Sequence, residues 1–146
     1  MKKEITFRQA AAADWPAMAS LLRAANLPLE GAADHLENFL LGMDAGRLLC
    51  IAGVEQYGAM ALLRSVAVDA SLRGTGIGEL LLDRLRHQAK EQGVQELYLL
   101  TTTAASFFGK RGFSVISRGD TPAALQASRE FQGVCPASAT AMVAKL

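Results

Sequence analysis

One stretch, Leu62 to Gly93, restricts the fold of this chain more than any other: LLRSVAVDASLRGTGIGELLLDRLRHQAKEQG. Leu62 to Val68 is a run of apolar and β-branched residues bounded by Asp69, the pattern of a buried strand. A polar turn from Asp69 to Thr75 follows and runs into Arg73-Gly74-Thr75-Gly76-Ile77-Gly78. From Gly76 onward, Ile77, Leu81 and Leu85 recur at helical spacing with Leu82 and Ala89 beside them. Asp83, Arg84, Arg86 and Lys90 fall mostly on the other faces, which predicts an amphipathic helix closed by Gly93.

A glycine-rich turn feeding a helix N-terminus is suited to an anion. The first turn of a helix carries N–H groups without intrahelical partners, and the aligned peptide dipoles place partial positive charge there. Glycines admit positive φ and let phosphate oxygens approach the backbone, and Arg73 adds a permanent cation at the rim. The expected ligand is a phosphate or pyrophosphate. Two common phosphate motifs fail. A P-loop needs Lys followed by Ser or Thr after its last glycine, and none follows here. A GxGxxG dinucleotide fingerprint fails because its last position is Glu79 counted from Gly74 and Leu81 counted from Gly76.

Arg73-x-x-Gly76-x-Gly78 directly after Ser65-Val66-Ala67-Val68-Asp69 resembles the pyrophosphate-binding motif of the GNAT superfamily of acyl-CoA-dependent N-acetyltransferases. The resemblance implies acetyl-CoA as co-substrate, with Arg73, Gly74, Thr75, Gly76, Ile77 and Gly78 around the pyrophosphate. It also implies a strand splayed from its neighbour, whose backbone at Val66, Ala67 and Val68 meets the pantetheine and the acetyl carbonyl.

The rest of the chain is expected to build around that strand, turn and helix. At 146 residues it is expected to form a single domain, 1–146, large enough to bury a core. A net charge of +1 gives no reason to expect nucleic acid or an acidic membrane as partner. Met1-Lys2-Lys3-Glu4 leads into a strand without an apolar leader region, and no apolar run approaches a membrane span. A soluble, cytoplasmic protein is expected. Cys50 and Cys135 show no CxxC spacing and His35 and His87 stand apart, so no metal is expected. Cys50, inside the run Leu48 to Val54, reads as a small buried hydrophobe, and His87 as solvated surface.

Ile5 to Arg8 is expected as an opening strand, followed by a helix capped by Asp14, with Pro16 at its start and Met18, Leu21 and Leu22 facing inward. A short helix or turn over Glu30 to Glu37 precedes a strand from Phe39 to Asp44. Arg47 to Tyr57 and Ala59 to Val68, joined at Gly58, read as an antiparallel hairpin. Glu96 to Thr101 is nearly all apolar and is expected in the sheet centre, parallel to the Leu62 strand because a helix separates them. Ala104 to Arg111 (helix), Phe113 to Ile116 (strand), Pro122 to Arg129 (helix) and Ala139 to Ala144 (strand) complete the chain. The order, β-α-α-β-β-β-α-β-α-β with an extra helix before the final strand, resembles the GNAT fold: an α/β (α+β) class with a mixed central sheet of about six to seven strands flanked by helices.

The chemistry implied by that resemblance is direct attack of an amine on the thioester in a ternary complex. It needs a neutral amine, a donor for the oxyanion and a proton for the departing thiolate. Glu55, on the strand that pairs with Leu62 to Val68, is the candidate catalytic base or water relay; the alternative is a strand-end residue facing water. Many family members carry a tyrosine as proton donor in A-x-x-F/L-Y-x-x-x-G-F. Here Ala104 to Phe113 places Phe108 in that slot, and Thr101 stands where an asparagine is common. Phe108 and Thr101 are therefore expected only to line the coenzyme A site.

The C-terminal third, with LYLLTTTAASFF, Glu130-Phe131 and Cys135-Pro136-Ala137-Ser138-Ala139, resembles small GNAT proteins of arsenic-resistance operons. The expected acceptor is a small amine, an amino acid or an arsenic-containing analogue. Tyr57, Arg64, Arg129 and Cys135 are the candidate substrate residues, since an arginine fork matches a carboxylate or arsonate. Cys135 reads first as a small residue packed before a proline turn, and only second as an arsenic-binding or reactive thiol. Two function classes stay open, a small-amine acetyltransferase and a non-catalytic acyl-CoA-binding sensor or regulatory module. A homodimer is an open alternative to a monomer.

Overall fold

The computed structural model describes residues 5–27, 29, 32–126 and 139–146, with His35 described by its backbone alone. Glu30, Arg129, Glu130 and Cys135 lie outside the described residues.

β1 (Thr6–Gln9), β2 (Phe39–Asp44), β3 (Arg47–Tyr57), β4 (Met60–Val68), β5 (Glu96–Thr101), β6 (Ser114–Ile116) and β7 (Thr140–Lys145) form one sheet in the order β1-β2-β3-β4-β5-β7-β6. The helices are α1 (Trp15–Ala24), α2 (Ile77–Glu91), α3 (Ala105–Gly109) and α4 (Ala123–Gln126). The sheet is mixed: β4 and β5 run parallel, while β1 with β2, β2 with β3, β5 with β7 and β6 with β7 run antiparallel. The parallel pair follows from its connection, because α2 is a crossover that returns the chain in the same direction. The seven strands are those expected from the sequence; the short helix expected over Glu30 to Glu37 is a 3-10 helix at Ala33–Asn38, and of the helix expected over Pro122 to Arg129 the part Ala123–Gln126 is helical while 127–129 lie outside the described residues.

The chain divides into two compact units. The first comprises Met1–Val54 and Ser65–Gln88, the second Glu55–Arg64 and Ala89–Leu146. In the first unit Met18, Leu22, Phe39, Leu41 and Ile51 are fully buried in one cluster with Ala10, Ala32 and Ala67. Leu21, expected inward, is half-buried, and Ala19 is buried instead. Asp14 differs from its expected part. It does not cap α1 through its side chain. Asp14 has helical backbone angles itself, φ −81° and ψ −14°, and its carboxylate reaches backward. There it accepts the Ala11 N–H at 2.8 Å and both terminal nitrogens of Arg8 at 2.7 and 2.8 Å, which ties β1 to the start of α1.

The β2–β3 turn, Ala45-Gly46, has φ of 50° and 80°, the paired left-handed conformation that matches strand twist in a two-residue hairpin. Next along the same pair, Gly42 faces Cys50. A Cβ at Gly42 would sit 2.4 Å from the Cys50 sulfur, so the thiol occupies the space that the glycine leaves. Burial raises this thiol to about 11, which makes Cys50 the inert hydrophobe expected from its neighbours.

In the second unit Leu62, Tyr98 and Leu125 are buried together, with Tyr57, Met60, Ile116 and Val143 packed against them. α3 and β6 are each shorter than the sequence suggested. Gly112 takes φ 91° and Phe113 donates its N–H back to the Phe108 carbonyl, so the helix end consumes residues expected in both elements. Among the described residues no helix is long and apolar enough to cross a membrane, and no three His, Cys, Asp or Glu side chains cluster in the manner of a metal site.

Candidate functional site

β4 carries the feature from which the site is built. Its registered pairs with β5 are Met60↔Glu96, Ala61↔Leu97 and Leu62↔Tyr98. β4 then continues to Val68 and β5 to Thr101 beyond the last pair. Ser65, buried at 8% exposure, has φ 59°, a left-handed residue in mid-strand. A residue in that conformation breaks the pleat as a bulge does. After it the side chains alternate again, with Val66 and Val68 half-exposed and Ala67 buried.

The turn that follows is pinned at both ends. Asp69 donates its N–H to the Leu49 carbonyl of β3 at 2.8 Å. Its Oδ1 accepts from the Ser71 N–H at 2.9 Å and the Ser71 hydroxyl at 2.6 Å, and its Oδ2 accepts from Arg47 at 2.8 Å. These donors hold the Asp69 carboxyl low, at about 2, the Ser71 hydroxyl first among them. A short 3-10 turn, Ala70–Leu72, results, and Leu72 is buried at its end. Ile77, buried at 8% exposure, fixes the first residue of α2.

Between those two anchors Arg73, Gly74, Thr75 and Gly76 are exposed. Gly74 and Gly76 have φ of 79° and 88°, and a Cβ built on either meets nothing within 4 Å. The backbone is therefore bare on the side where a ligand would approach, and its conformation strains any L side chain. Thr75 turns inward, its hydroxyl donating to the Leu72 carbonyl. The helix that begins here runs fifteen residues to Glu91, long enough for its first-turn N–H groups and dipole to attract an anion. Glu79 also lies in this first turn.

In the second unit Glu55, Tyr57 and Arg64 come together. Arg64 Nη1 donates to Glu55 Oε2 at 2.8 Å, and the Tyr57 hydroxyl donates to Glu55 Oε1 at 2.7 Å. Glu55 and Arg64 are buried, and Tyr57 is half-exposed. A buried carboxylate requires a partner of this kind. The sequence offered a signal for it: Arg64 is the one cation inside the apolar run of the neighbouring strand. Thr101 and Phe108 lie elsewhere in this unit. Thr101 Oγ1 accepts the Ala104 N–H at 2.9 Å and so shapes the entry to α3. The Phe108 ring is buried edge-on against Phe107 and Phe113, with centroids 5.2 and 5.4 Å away.

A cavity of about 430 Å³ in the first unit is lined by Arg8, Asp14, Leu41, Met43 and Leu48 among others, and by none of the residues above. The two charged side chains in its lining, Arg8 and Asp14, are already paired with each other. The chemistry-bearing turn is a surface feature, not this cavity.

The model of the acetyltransferase (GNAT) domain matches residues 36–115, from the turn before β2 to β6. The amino-acid acetyltransferase of Pasteurella multocida (strain Pm70) is 29% identical over 135 residues, covering 84% of this chain and 30% of that protein. The amino-acid acetyltransferase of Escherichia coli (strain K12) is 40% identical over 62 residues, 42% of this chain and 13% of that protein. The chain thus spans less than a third of the length of these relatives. Among solved structures, N-acetylglutamate synthase from Neisseria gonorrhoeae, complexed with coenzyme A and N-acetyl-glutamate, superposes with a TM-score of 0.85 at 23% identity, over 100% of this chain and 36% of that one. Rv2747 from Mycobacterium tuberculosis, in complex with CoA and NLQ, superposes with a TM-score of 0.79 at 22% identity, over 97% and 99% of the two chains. At these identities the structural likeness shows the fold.

Proposed function

The chain belongs to the acetyltransferase (GNAT) domain family, and on that premise we propose that it is an acetyl-CoA-dependent N-acetyltransferase of a small amine. The observation that carries this reading is the bare turn Arg73–Gly76, with two left-handed glycines, set between the end of β4 and the first turn of α2. The pyrophosphate of acetyl-CoA fits it in charge and in the absence of side chains. In the reaction the amine nitrogen bonds to the thioester carbonyl carbon, the C–S bond breaks, and coenzyme A leaves as a thiolate that takes up a proton. The backbone of Val66, Ala67 and Val68, beyond the last β4–β5 pair, is our candidate for holding the pantetheine and the acetyl oxygen.

Glu55 is our candidate for the proton lost by the amine, with Tyr57 as the half-exposed group that relays it. Arg64 holds Glu55 in its orientation. The acceptor is proposed to carry an acidic group, as an amino acid or an arsenic-containing analogue does. The names of the relatives support the amino-acid class. Arg129 is our candidate for the acidic group, and Cys135 for an arsenic-bearing one. The reaction is placed in the cytoplasm, where acetyl-CoA is made and used.

A binding module without turnover draws on one observation, the buried phenyl ring of Phe108 where many members carry a proton-donating hydroxyl. Thiol release separates the two. Acetyl-CoA is offered with neutral and acidic amino acids, glutamate-like arsenic and phosphorus analogues, polyamines and peptides. Acidic amino acids are expected to give the fastest release. Preference for polyamines or peptide lysines overturns the acceptor class, and release no faster than hydrolysis with every amine leaves the binding module.

A further inference from the structure

We propose that Asp69 is a positioning residue for the pyrophosphate of acetyl-CoA: without touching the ligand, its carboxylate sets the conformation in which Arg73–Gly76 presents its N–H groups. The inference rests on the acetyl-CoA reading above. Asp69 makes three attachments, two through its carboxylate and one through its backbone N–H. Oδ1 takes both the N–H and the hydroxyl of Ser71, closing the Ala70–Leu72 turn from outside. Oδ2 takes Arg47, at the start of β3, at 2.8 Å. The Asp69 N–H is bound to Leu49, two residues further along β3. The turn is thereby fastened to a strand of the sheet on one side and to buried Leu72 on the other.

Of the four residues past Leu72, Thr75 is tied back to Leu72, its N–H and its hydroxyl both donating to that carbonyl, and so depends on where the Ala70–Leu72 turn is held. Arg73–Gly76 is exposed, and the two glycines have open space where side chains would restrain them. Glycines at positive φ are the least restrained positions in a chain, so the loop alone would sample many conformations. An anion nest binds well only when its N–H groups converge before the ligand arrives. Asp69 supplies that convergence from the strand side, as Ile77 does from the helix side. The low proton affinity of Asp69, at about 2, keeps all of these bonds made at any pH where the enzyme works.

The test compares two thioesters. Acetyl-CoA carries the pyrophosphate and acetyl-pantetheine lacks it. Asp69→Ala is expected to lower kcat/KM for acetyl-CoA about fivefold to tenfold, the size of effect that loss of a capping side chain has on local structure, while leaving acetyl-pantetheine unchanged. Asp69→Asn keeps an acceptor for Ser71 and loses the charge facing Arg47, so it should fall between wild type and Asp69→Ala and match Arg47→Ala. This milder variant also carries the test if Asp69→Ala folds poorly. Equal losses with both thioesters, or no loss with either, overturn the proposal. Gly76→Asp, read by coenzyme A binding in calorimetry, checks the premise separately: if it binds like wild type, the acetyl-CoA site lies elsewhere. If Gly76→Asp abolishes binding and Asp69→Ala changes nothing, the inference about Asp69 alone fails.

Discussion

Arg64 donates to Glu55 across 2.8 Å in the interior of the protein, with side-chain exposures of 0% and 4%. The pair reads differently from the two residues taken separately. As a lone carboxylate Glu55 is a candidate base, and as a lone fork Arg64 is a candidate clamp for an acidic substrate. Paired, they form a fixed support whose remaining oxygen is turned to Tyr57.

Removing Arg64 takes the ion-pair partner from a buried carboxylate that still accepts from Tyr57. Arg64→Met is therefore expected to destabilise by about 3 kcal/mol, the usual consequence of breaking a buried pair from one side. Glu55→Gln should cost less stability, since an amide oxygen still accepts a hydrogen bond, while lowering kcat. Urea unfolding checks the first and thiol release the second. Arg64→Met with native stability would mean that the pair is not what keeps Glu55 in place.

Acid should loosen the tie between β1 and α1. The Asp14 carboxyl is pulled down to about 2, chiefly by the Arg8 hydrogen bonds. A folded-state value below the unfolded one adds stability above the unfolded value of about 4, and that stability is lost as pH falls from there toward about 2. Asp14→Asn, which cannot titrate, should show the smaller drop in thermal midpoint between pH 5 and pH 2.5. Parallel curves for the two proteins would remove Asp14 from the account.

Gly42 and Cys50 share one volume. Gly42→Ala drives a methyl into the thiol and to 3.3 Å from Ile5 and Phe7, so a loss of about 1–3 kcal/mol is expected. Cys50→Ala removes the sulfur at 2.4 Å, and in its presence Gly42→Ala should become milder. A double-mutant cycle by chemical denaturation measures the coupling, and strict additivity would contradict the packing described.

Phe108→Tyr introduces a hydroxyl next to Phe107 and Phe113 in a buried ring cluster. A hydroxyl buried there without a hydrogen bond should cost about 1–3 kcal/mol. Turnover should rise modestly at most, because the coenzyme A thiolate can be protonated from solvent. An inactive wild type that becomes active on this substitution would instead identify a binding module that has lost its proton donor.

The order of elements and the glycine turn between β4 and α2 were legible because their signals are local. Apolar runs, glycines at turn positions and a helical stripe each act over a few residues. The structure adds contacts that span more sequence. Asp69 with Arg47 joins the turn after β4 to β3, Glu55 with Arg64 joins β3 to β4, and neither pairing follows from spacing alone. Half of the Asp69 arrangement was readable all the same: Asp69-Ala70-Ser71 carries the acid-to-backbone turn signature. Asp14 shows the opposite case, a good capping residue by type whose side chain the fold commits to Arg8. Ser65 gave no sign at all, because serine has no special liking for a left-handed conformation and only the strand around it imposes one.

The end of the β4–β5 ladder at Leu62 and Tyr98 also divides one strand in its exchange with solvent deuterium. Backbone amides between Met60 and Leu62 that point toward β5 belong to a closed ladder and should exchange slowly. Those at Val66, Ala67 and Val68 on the side of the strand that β5 pairs lower down lie past its last pair and should exchange as a loop does, although they belong to the same strand. A pantetheine lying alongside would supply the acceptors that β5 does not. Slow exchange would then spread along β4 only when the thioester is bound, so the strand itself would record occupancy.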